Sequence, residues 1–184
     1  MDLEQVELSN AYRLIGHGPT VLVSTYDDEG VPNACAVAWV APASKAPPRF
    51  VLRIGEGHKT YQNLMARKAC VINVPTADNL VVVMICGRRS GKAGDKLTPA
   101  GIVTVPASAV DAPKLTCCAA WLECELLGNL ELAGSNLVLV EAKAVSCRPG
   151  VMGPGAHMDV ERFPTLHHLG GDRFSVPGAV LEHK

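Results

Sequence analysis

Short β-branched segments separated by turn sequences limit the fold of this chain more than any other feature. Residues 20–26 are rich in Val and Thr, and the acidic turn Asp27-Asp28-Glu29-Gly30 separates them from a second extended run at residues 32–40. This pattern predicts a β-hairpin. Further strands are expected at residues 49–54 and 70–74, because both are short apolar runs bounded by turns or by a helical pattern.

The second half of the chain favours two longer strands, at residues 114–127 and 136–147, joined by a turn near Gly134. In the second of them, Glu141 and Lys143 alternate with apolar residues, which is typical of a strand with one solvated face. The C-terminal segment from residue 148 to residue 184 contains clusters of Pro and Gly and is expected to be rich in loops.

Helices are few in this pattern. Apolar residues at helical spacing predict an N-terminal helical arm over residues 1–15 and a second helix over residues 61–68. Residues 77–85 fit either a buried helix or a strand, and Asp78 as a start signal favours the helix. The sequence therefore predicts one domain over residues 1–184, mainly β with helices and built as an antiparallel barrel; a βαβαβ arrangement fits less well.

Composition excludes several classes of protein. The chain has 17 Lys and Arg against 18 Asp and Glu, and only 4% of its residues are aromatic, so neither nucleic acid nor a membrane surface is an expected partner. The acidic start lacks the features of a signal peptide, which favours a cytoplasmic protein. Seven cysteines without a Cys-x-x-Cys spacing are expected to be reduced core residues, and no metal site is predicted.

The sharpest local motif is Gly55-Glu56-Gly57-His58-Lys59-Thr60, at a predicted junction between a strand and a helix. Free backbone N–H groups and the helix dipole favour an anion there, and His58, Lys59 and Thr60 add side-chain donors suited to a phosphate monoester. The alternative interpretation is a solvated helix start. A Walker A loop would need Gly in place of His58, and a dinucleotide-binding motif would need a third Gly at position 60, so neither motif is present.

Two further segments are candidates for ligand contacts. The run from Arg88 to Lys96 holds four basic residues, one carboxylate and two glycines, and fits either a loop that closes over an anion or a basic surface loop. The small-residue strand from Asn33 to Trp39 lets backbone approach a flat ring, although close packing against a helix explains it equally well. The pair His167-His168 favours a turn with partly exposed imidazoles over a cleft.

In their order and spacing, these segments resemble the flavin reductase-like FMN-binding proteins, in particular the flavoredoxin-like branch. The likeness covers most of the chain. Its motifs are Val21-Leu-Val-Ser-Thr, Asp28-Glu-Gly-Val-Pro-Asn33, Ala36-Val-Ala-Trp39, Pro47-Pro48, His58-Lys-Thr-Tyr61, Val71-Ile-Asn-Val-Pro75, Ser90-Gly-x-x-x-Asp95-Lys96, Leu122-Glu-Cys-Glu125 and Leu166-His-His-Leu-Gly-Gly171.

The resemblance implies a Greek-key split β-barrel that binds FMN, as a homodimer with each flavin at the subunit interface. It implies a phosphate group held by His58, Lys59 and Thr60, and a ring and ribityl chain along Asn33 and the backbone of residues 34–39. Ser90 and Lys96 would approach the flavin from the other side. The cofactor-binding residues expected on this basis are Asn33, Ala34, Cys35, Ala36, Val37, Trp39, His58, Lys59, Thr60, Ser90 and Lys96.

One departure from the family pattern concerns the electron donor. Family members that use NADH or NADPH commonly carry Gly-Asp-His, where this chain has Gly134-Ser135-Asn136. The expected function is an FMN-dependent oxidoreductase or electron-transfer flavoprotein, with NADH, NADPH or a redox partner protein as candidate donors; its catalytic residues are not assigned. The alternatives are a non-catalytic FMN-binding dimer that acts as sensor or carrier and, more distantly, a hydrolase or metal enzyme on a similar barrel.

Overall fold

Eleven strands dominate the computed structural model, which describes residues 6–183. Because the chain alternates short β-branched runs with turns, most of these strands are three to six residues long, and two reach thirteen. They are β1 (Val21–Tyr26), β2 (Pro32–Val37), β3 (Val40–Ser44), β4 (Arg49–Leu52), β5 (Ala69–Val74), β6 (Thr104–Pro106), β7 (Pro113–Leu115), β8 (Ala120–Leu132), β9 (Ser135–Cys147), β10 (His167–Gly170) and β11 (Arg173–Ser175).

Seven of these strands form one antiparallel sheet in the order β2-β1-β5-β8-β9-β4-β3. The two edge strands, β2 and β3, are consecutive in the chain and are separated only by Ala38 and Trp39. The sheet therefore curls until its edges meet at these two residues, which form the open corner of a split barrel. This confirms the predicted fold class.

Side chains along β1 and β2 point alternately to the two faces of the sheet, so the core is divided into two clusters. Val23 pairs with Cys35 in the register of the hairpin, and both side chains belong to a cluster inside the barrel. Leu22 and Ala34 point the other way and pack in a second cluster against the buried Val83 of a helix. Because β2 is buried on both faces near its start, small side chains are required there.

Two α-helices flank the sheet. α1 (Lys59–Arg67) packs on β1, where the buried Asn63 side chain donates to Thr25 Oγ1 at 3.0 Å. α2 (Leu80–Arg88) packs on β2 and follows a short 3₁₀ turn at Ala77–Asn79. The Thr76 N–H donates to Asn79 Oδ1 at 3.0 Å at the start of this turn, so the helical alternative predicted for residues 77–85 is the observed one.

Several predicted strand bounds were wrong. The run at residues 32–40 breaks at Ala38, and the predicted strand at residues 114–127 is divided into β7 and β8. The break before β8 arises because Cys118 N–H donates to Leu115 O in a turn. Pro106 and Pro113 face each other in the small β6–β7 hairpin, a pairing that the proline pattern obscured.

The terminal segments also differ from expectation. The described part of the N-terminal arm is a 3₁₀ helix, Leu8–Leu14, whose Leu8 side chain is 92% exposed, and residues 1–5 lie outside the described part. The arm contacts the body through Tyr12 and Arg13 instead of an apolar face. The C-terminal segment is rich in loops, as predicted, but it also contains the β10–β11 hairpin.

The cysteines follow the prediction of free thiols in the core. All seven are unbridged, and five of them, at positions 35, 70, 86, 118 and 124, are buried. Cys117 is half-buried and Cys147 is exposed. Across residues 6–183, no helix is long and apolar enough to cross a membrane.

Candidate functional site

A cavity of about 240 Å³ lies between the N-terminus of α1 and the C-terminus of α2, and we call it the α1–α2 cavity. Its described lining contains several cationic side chains and no carboxylate. It is therefore suited to an anionic ligand. The residues that line it are Asn33, Cys35, Gly57, His58, Lys59, Thr60, Cys86, Gly87, Arg88, Arg89, Ser90, Gly91 and Lys96.

The start of α1 supplies backbone donors to this cavity. His58 is extended and precedes the helix, and its N–H donates to Gly55 O at 2.9 Å in a tight turn. Gln62 N–H is the first donor inside the helix, at 3.2 Å from His58 O, so the N–H groups of residues 59–61 have no helical acceptor. Together with the helix dipole, these groups attract an anion.

A buried hydrogen bond fixes the floor of the α1–α2 cavity. Asn33 Nδ2 donates to Thr60 Oγ1 at 2.7 Å, which connects β2 to α1. Gly91 packs directly on this pair, because a Cβ built there would lie 2.1 Å from Asn33 Oδ1. The loop after α2 therefore needs glycine at this position to approach the floor.

The Lys59 ammonium is shared between the cavity and the β1–β2 turn. Its Nζ lies 2.8 Å from Asp27 Oδ2, and Asp27 Oδ1 accepts from the Val31 N–H at 2.8 Å. The hydrogen bond from Lys59 lowers the pKa of the Asp27 carboxyl, so this carboxyl is ionised at neutral pH. Asp27 thus holds Lys59 at the cavity edge and neutralises part of its charge.

Lys96 is a buried cation that closes the C-terminus of α2. Its Nζ donates to Cys86 O at 3.0 Å and to Arg89 O at 2.7 Å, two carbonyls at the negative end of the helix. Burial lowers the pKa of the Lys96 ammonium. An ammonium has three hydrogens, so one is left to face the cavity that Lys96 lines.

Two thiols complete the walls. Cys35 and Cys86 line the α1–α2 cavity, and both are less than a tenth exposed. Burial raises the pKa of Cys35 and raises that of Cys86 to about 12, so both thiols are neutral. They act as small apolar walls and not as nucleophiles.

A groove continues from this cavity along the outer end of β2, and we call it the β2 groove. It has a volume of about 460 Å³ and shares Cys35 and His58 with the α1–α2 cavity. Residues 35–39 form its base, and Tyr12 closes one end with its ring 5.7 Å from the Trp39 ring. Its size and its continuity with the anion site suit a long ligand with a flat head and a charged tail.

A third space, which we call the hairpin cavity, lies beside the groove under the β10–β11 hairpin. Its volume is about 260 Å³, and it shares Ala36, Ala38 and His168 with the β2 groove. Its lining is mostly apolar. The residues that line it are Thr20, Ala36, Ala38, Val83, Met84, Gly87, Arg88, His168, Gly171 and Phe174.

The structure brings most of the residues predicted from the sequence to these spaces. Asn33, Cys35, His58, Lys59, Thr60, Ser90 and Lys96 line the α1–α2 cavity, while Ala36, Val37 and Trp39 line the β2 groove. Ala34 is instead fully buried against α2 and lines none of these three spaces. Ser90 and Lys96 line the α1–α2 cavity and not the β2 groove.

Sequence reasoning missed several lining residues. Gly57 and Gly91 lie within the predicted motifs at residues 55–60 and 88–96 but were not predicted as lining residues. The role of Gly91 follows only from its close approach to Asn33 in the structure. Tyr12, His168 and Phe174 come from distant segments, and no sequence spacing relates them to β2. His168 lies on β10 and lines a cleft, which corrects the expectation of a turn with exposed imidazoles.

Asn136, at the position where the family resemblance leads one to expect a histidine, has a structural contact. Its buried side chain donates to Ile54 O at 2.7 Å, directly before the Gly55–His58 turn. Asn136 therefore connects β9 to the segment that leads into α1.

The fold and the site define a split-barrel protein of the flavin reductase-like kind. The model of the flavin reductase like domain matches residues 15–169, so the chain belongs to this family of FMN-binding proteins. The chain is 30% identical over 178 residues to the uncharacterized protein YddH of Escherichia coli, covering 94% of both chains.

Two solved structures share the whole fold. One is an FMN-binding domain of a flavin reductases-like enzyme from Shewanella baltica, with 27% identity, a TM-score of 0.80 and coverage of 100% of this chain and 98% of the other. The other is flavoredoxin of Desulfovibrio vulgaris, with 23% identity, a TM-score of 0.87 and coverage of 100% and 97%. The predicted family is confirmed.

Proposed function

We propose that this protein binds FMN and works as an oxidoreductase or electron-transfer flavoprotein that passes a hydride or electrons from a reduced donor to an acceptor. The observation that carries the proposal is the α1–α2 cavity, which gathers cations and helix N–H groups without a carboxylate and opens into the β2 groove. FMN, when bound, supplies the redox chemistry, and the protein supplies binding and orientation.

The residues present fit FMN in two parts. The phosphate would be held by the N-terminus of α1 with Lys59, Thr60 and Arg89, since Arg89 has no ion-pair partner in the described part of the chain. The ring system would lie along residues 35–39, whose small side chains leave the backbone accessible. Gly91 supports this fit, because any side chain there would collide with Asn33 at the cavity floor.

The first test is the visible absorption spectrum of the purified protein, followed by titration of stripped protein with FMN and with riboflavin. We expect a flavin spectrum and saturable FMN binding that is much tighter than riboflavin binding, because riboflavin lacks the phosphate. A colourless protein that binds neither flavin would contradict the proposal.

A non-catalytic FMN-binding protein is the second candidate. It is favoured by Asn136, which replaces the histidine expected in reductases that use NADH or NADPH and whose side chain donates to Ile54 O. Steady-state oxidation of NADH or NADPH with free flavin as acceptor separates the two candidates. Sustained turnover would eliminate the pure binder. Turnover that appears only with a reduced redox protein would identify a carrier with a protein donor.

We further propose a cytoplasmic homodimer. Trp39 beside the β2 groove and Leu130 and Leu137 on the β8–β9 hairpin are each at least 41% exposed, and apolar groups of this size favour a contact surface. Light scattering after gel filtration should give twice the 19.4 kDa mass of the chain. A mass of one chain at micromolar concentration would contradict the dimer.

A further inference from the structure

Two adjacent thiols, Cys117 and Cys118, lie in the turn between β7 and β8, and neither lines the three spaces described above. We call residues 116–119 the dithiol turn. Cys117 is half-buried, so part of its surface is open to solvent, whereas Cys118 is fully buried. A dissolved reagent therefore meets Cys117 first.

Hydrogen bonds on both sides hold the backbone of the dithiol turn. On one side, the Cys118 N–H donates to Leu115 O at 3.3 Å. On the other side, Arg148 makes two contacts: its Nη2 donates to Thr116 O and its backbone N–H donates to Ala119 O, both at 2.8 Å. These contacts begin and end the turn, so the backbone around the two thiols is held in one conformation.

The surroundings give the two thiols different chemistry. The hydrogen bond from the Cys118 thiol, together with the nearby Arg148 guanidinium, lowers the pKa of Cys117 to about 7. A thiol whose pKa lies near the ambient pH is well suited to attack a disulfide, because the thiolate is the nucleophile. The hydrogen bond to Cys117 and burial raise the pKa of Cys118, so this thiol keeps its proton.

A bond between adjacent cysteines is easily broken again. Consecutive Cα atoms are about 3.8 Å apart, whereas the Cα atoms of an ordinary disulfide are roughly 4.4–6.8 Å apart. A disulfide between Cys117 and Cys118 would therefore be strained, and strained disulfides are the more readily reduced ones. The pair suits reversible oxidation better than a permanent bridge.

We propose that Cys117 and Cys118 form a redox-active dithiol that exchanges with small dissolved disulfides. In the first step, Cys117 Sγ attacks one sulfur of the small disulfide, a mixed disulfide forms, and the other sulfur leaves as a thiolate. In the second step, Cys118 loses its proton to solvent, its Sγ attacks Cys117 Sγ, and the second thiolate leaves. The small disulfide gains two electrons and the protein dithiol loses two.

The first step prepares the second. The negative charge and the hydrogen bond of Cys117, which raise the pKa of Cys118, are removed once Cys117 carries the mixed disulfide. Cys118 is also next to the sulfur that it attacks, and its burial does not slow a reaction within one turn. Neither step involves FMN, so this inference stands apart from the proposed function.

The test uses dithiobis(nitrobenzoic acid), an aromatic disulfide whose released thiolate is coloured, and Cys147→Ser protein, which lacks the exposed thiol outside the turn. At neutral pH, each folded chain should release two thiolates and lose the mass of two hydrogens, with no reagent attached. Chymotrypsin cleaves after Trp121 and so separates the pair from Cys124. Mass spectrometry of the digest should place the new bond between Cys117 and Cys118, and dithiothreitol should restore the starting mass.

Two variants in the same background assign the roles. Cys118→Ala should release one thiolate and keep the reagent on Cys117, because no second thiol resolves the mixed disulfide. Cys117→Ser should release thiolate at least about tenfold more slowly, because Cys118 is fully buried and reacts only when the structure opens locally. Release of two thiolates by Cys118→Ala would show that another thiol resolves the mixed disulfide and would overturn the proposal.

Phenylarsine oxide supplies a second test that does not depend on the folding of Cys118→Ala, because its arsenic bonds to two neighbouring thiols at once. Reduced Cys147→Ser protein should bind one equivalent, which dithiothreitol removes and a monothiol does not, and the bound arsenical should block the reaction with the aromatic disulfide. A stable reagent adduct on Cys147→Ser, no release of thiolate, or a bond from Cys117 to Cys86 or Cys124 would overturn the proposal.

Discussion

The α1–α2 cavity and the hairpin cavity border the same strand, but they are built in different ways. In the α1–α2 cavity, Asn33, Lys59 and Lys96 already have partners within the protein. In the hairpin cavity, Thr20 has an unpartnered hydroxyl and the walls come from far-separated segments. The first is held in shape by contacts within the protein, whereas the second keeps an unpartnered hydroxyl on its wall.

The largest expected effect comes from removing the contacts that the α1–α2 cavity would make to the FMN phosphate. Lys59→Ala combined with Thr60→Ala should weaken FMN binding by about 2–4 kcal/mol, because charge-assisted bonds to the phosphate are lost. Riboflavin, which has only the ring and ribityl parts, should bind the variant and the wild type with equal affinity. Isothermal titration of both flavins checks this, and an unchanged FMN affinity would refute the assignment of Lys59 and Thr60 to the phosphate.

Gly91→Ala tests whether the floor of the α1–α2 cavity is as rigid as its contacts indicate. The added Cβ would lie 2.1 Å from Asn33 Oδ1, so the loop must shift away and the free energy of unfolding should fall by about 1–3 kcal/mol. FMN affinity should fall as well. Gly128→Ala is the matched control, since a Cβ there has no neighbour within 4 Å. Chemical denaturation that shows equal losses for both variants would mean that the floor is soft.

Lys96→Met keeps the apolar stem and removes the ammonium. The carbonyls of Cys86 and Arg89 then lose their donor, and we expect a loss of about 1–2 kcal/mol in the free energy of unfolding. Thermal melts and FMN titrations of the variant measure the effect. A variant as stable as wild type, with normal FMN affinity, would show that Lys96 does not hold the end of α2 in place.

Asp27→Asn has the smallest expected effect, and it should raise the affinity for FMN where the other variants lower it. Asn retains the turn contacts but frees Lys59, so FMN affinity should rise about threefold at pH 7 as the competing charge disappears. Because the folded pKa of Asp27 is lowered, its ion pair stabilises the wild type above the ordinary carboxyl pKa, and this advantage is lost as pH falls through the lowered value. The melting temperatures of the wild type and of Asp27→Asn should therefore converge as the pH is lowered from about 7 to about 3.

The difference between the two cavities also explains what the sequence could predict. The contacts at the start of α1 come from adjacent residues, because a turn, a helix N-terminus and Lys59 form one local pattern. β-Branched runs and turns likewise predicted the antiparallel sheet, since strand formation depends on nearby residues. The burial of Ala34 could not be predicted in this way, because it depends on packing against α2, which comes from another part of the chain.

The hairpin cavity was beyond local reasoning. Thr20, Met84 and Phe174 are brought together by the closing of the barrel and the return of the C-terminal hairpin. None of the three stands in a spacing that indicates a shared wall. The break at Ala38 was missed for a similar reason, because the sheet turns there to bring its edges together and the residue types do not change.

The different exposure of the thiols makes local opening of the α1–α2 cavity measurable by chemical labelling. Cys147 is exposed, whereas Cys35 and Cys86 are buried on the walls of the α1–α2 cavity. An alkylating reagent should therefore modify the exposed Cys147 first, and the two wall thiols only when the cavity walls open locally. The delay between these two events, read by mass spectrometry, measures how often the cavity walls separate.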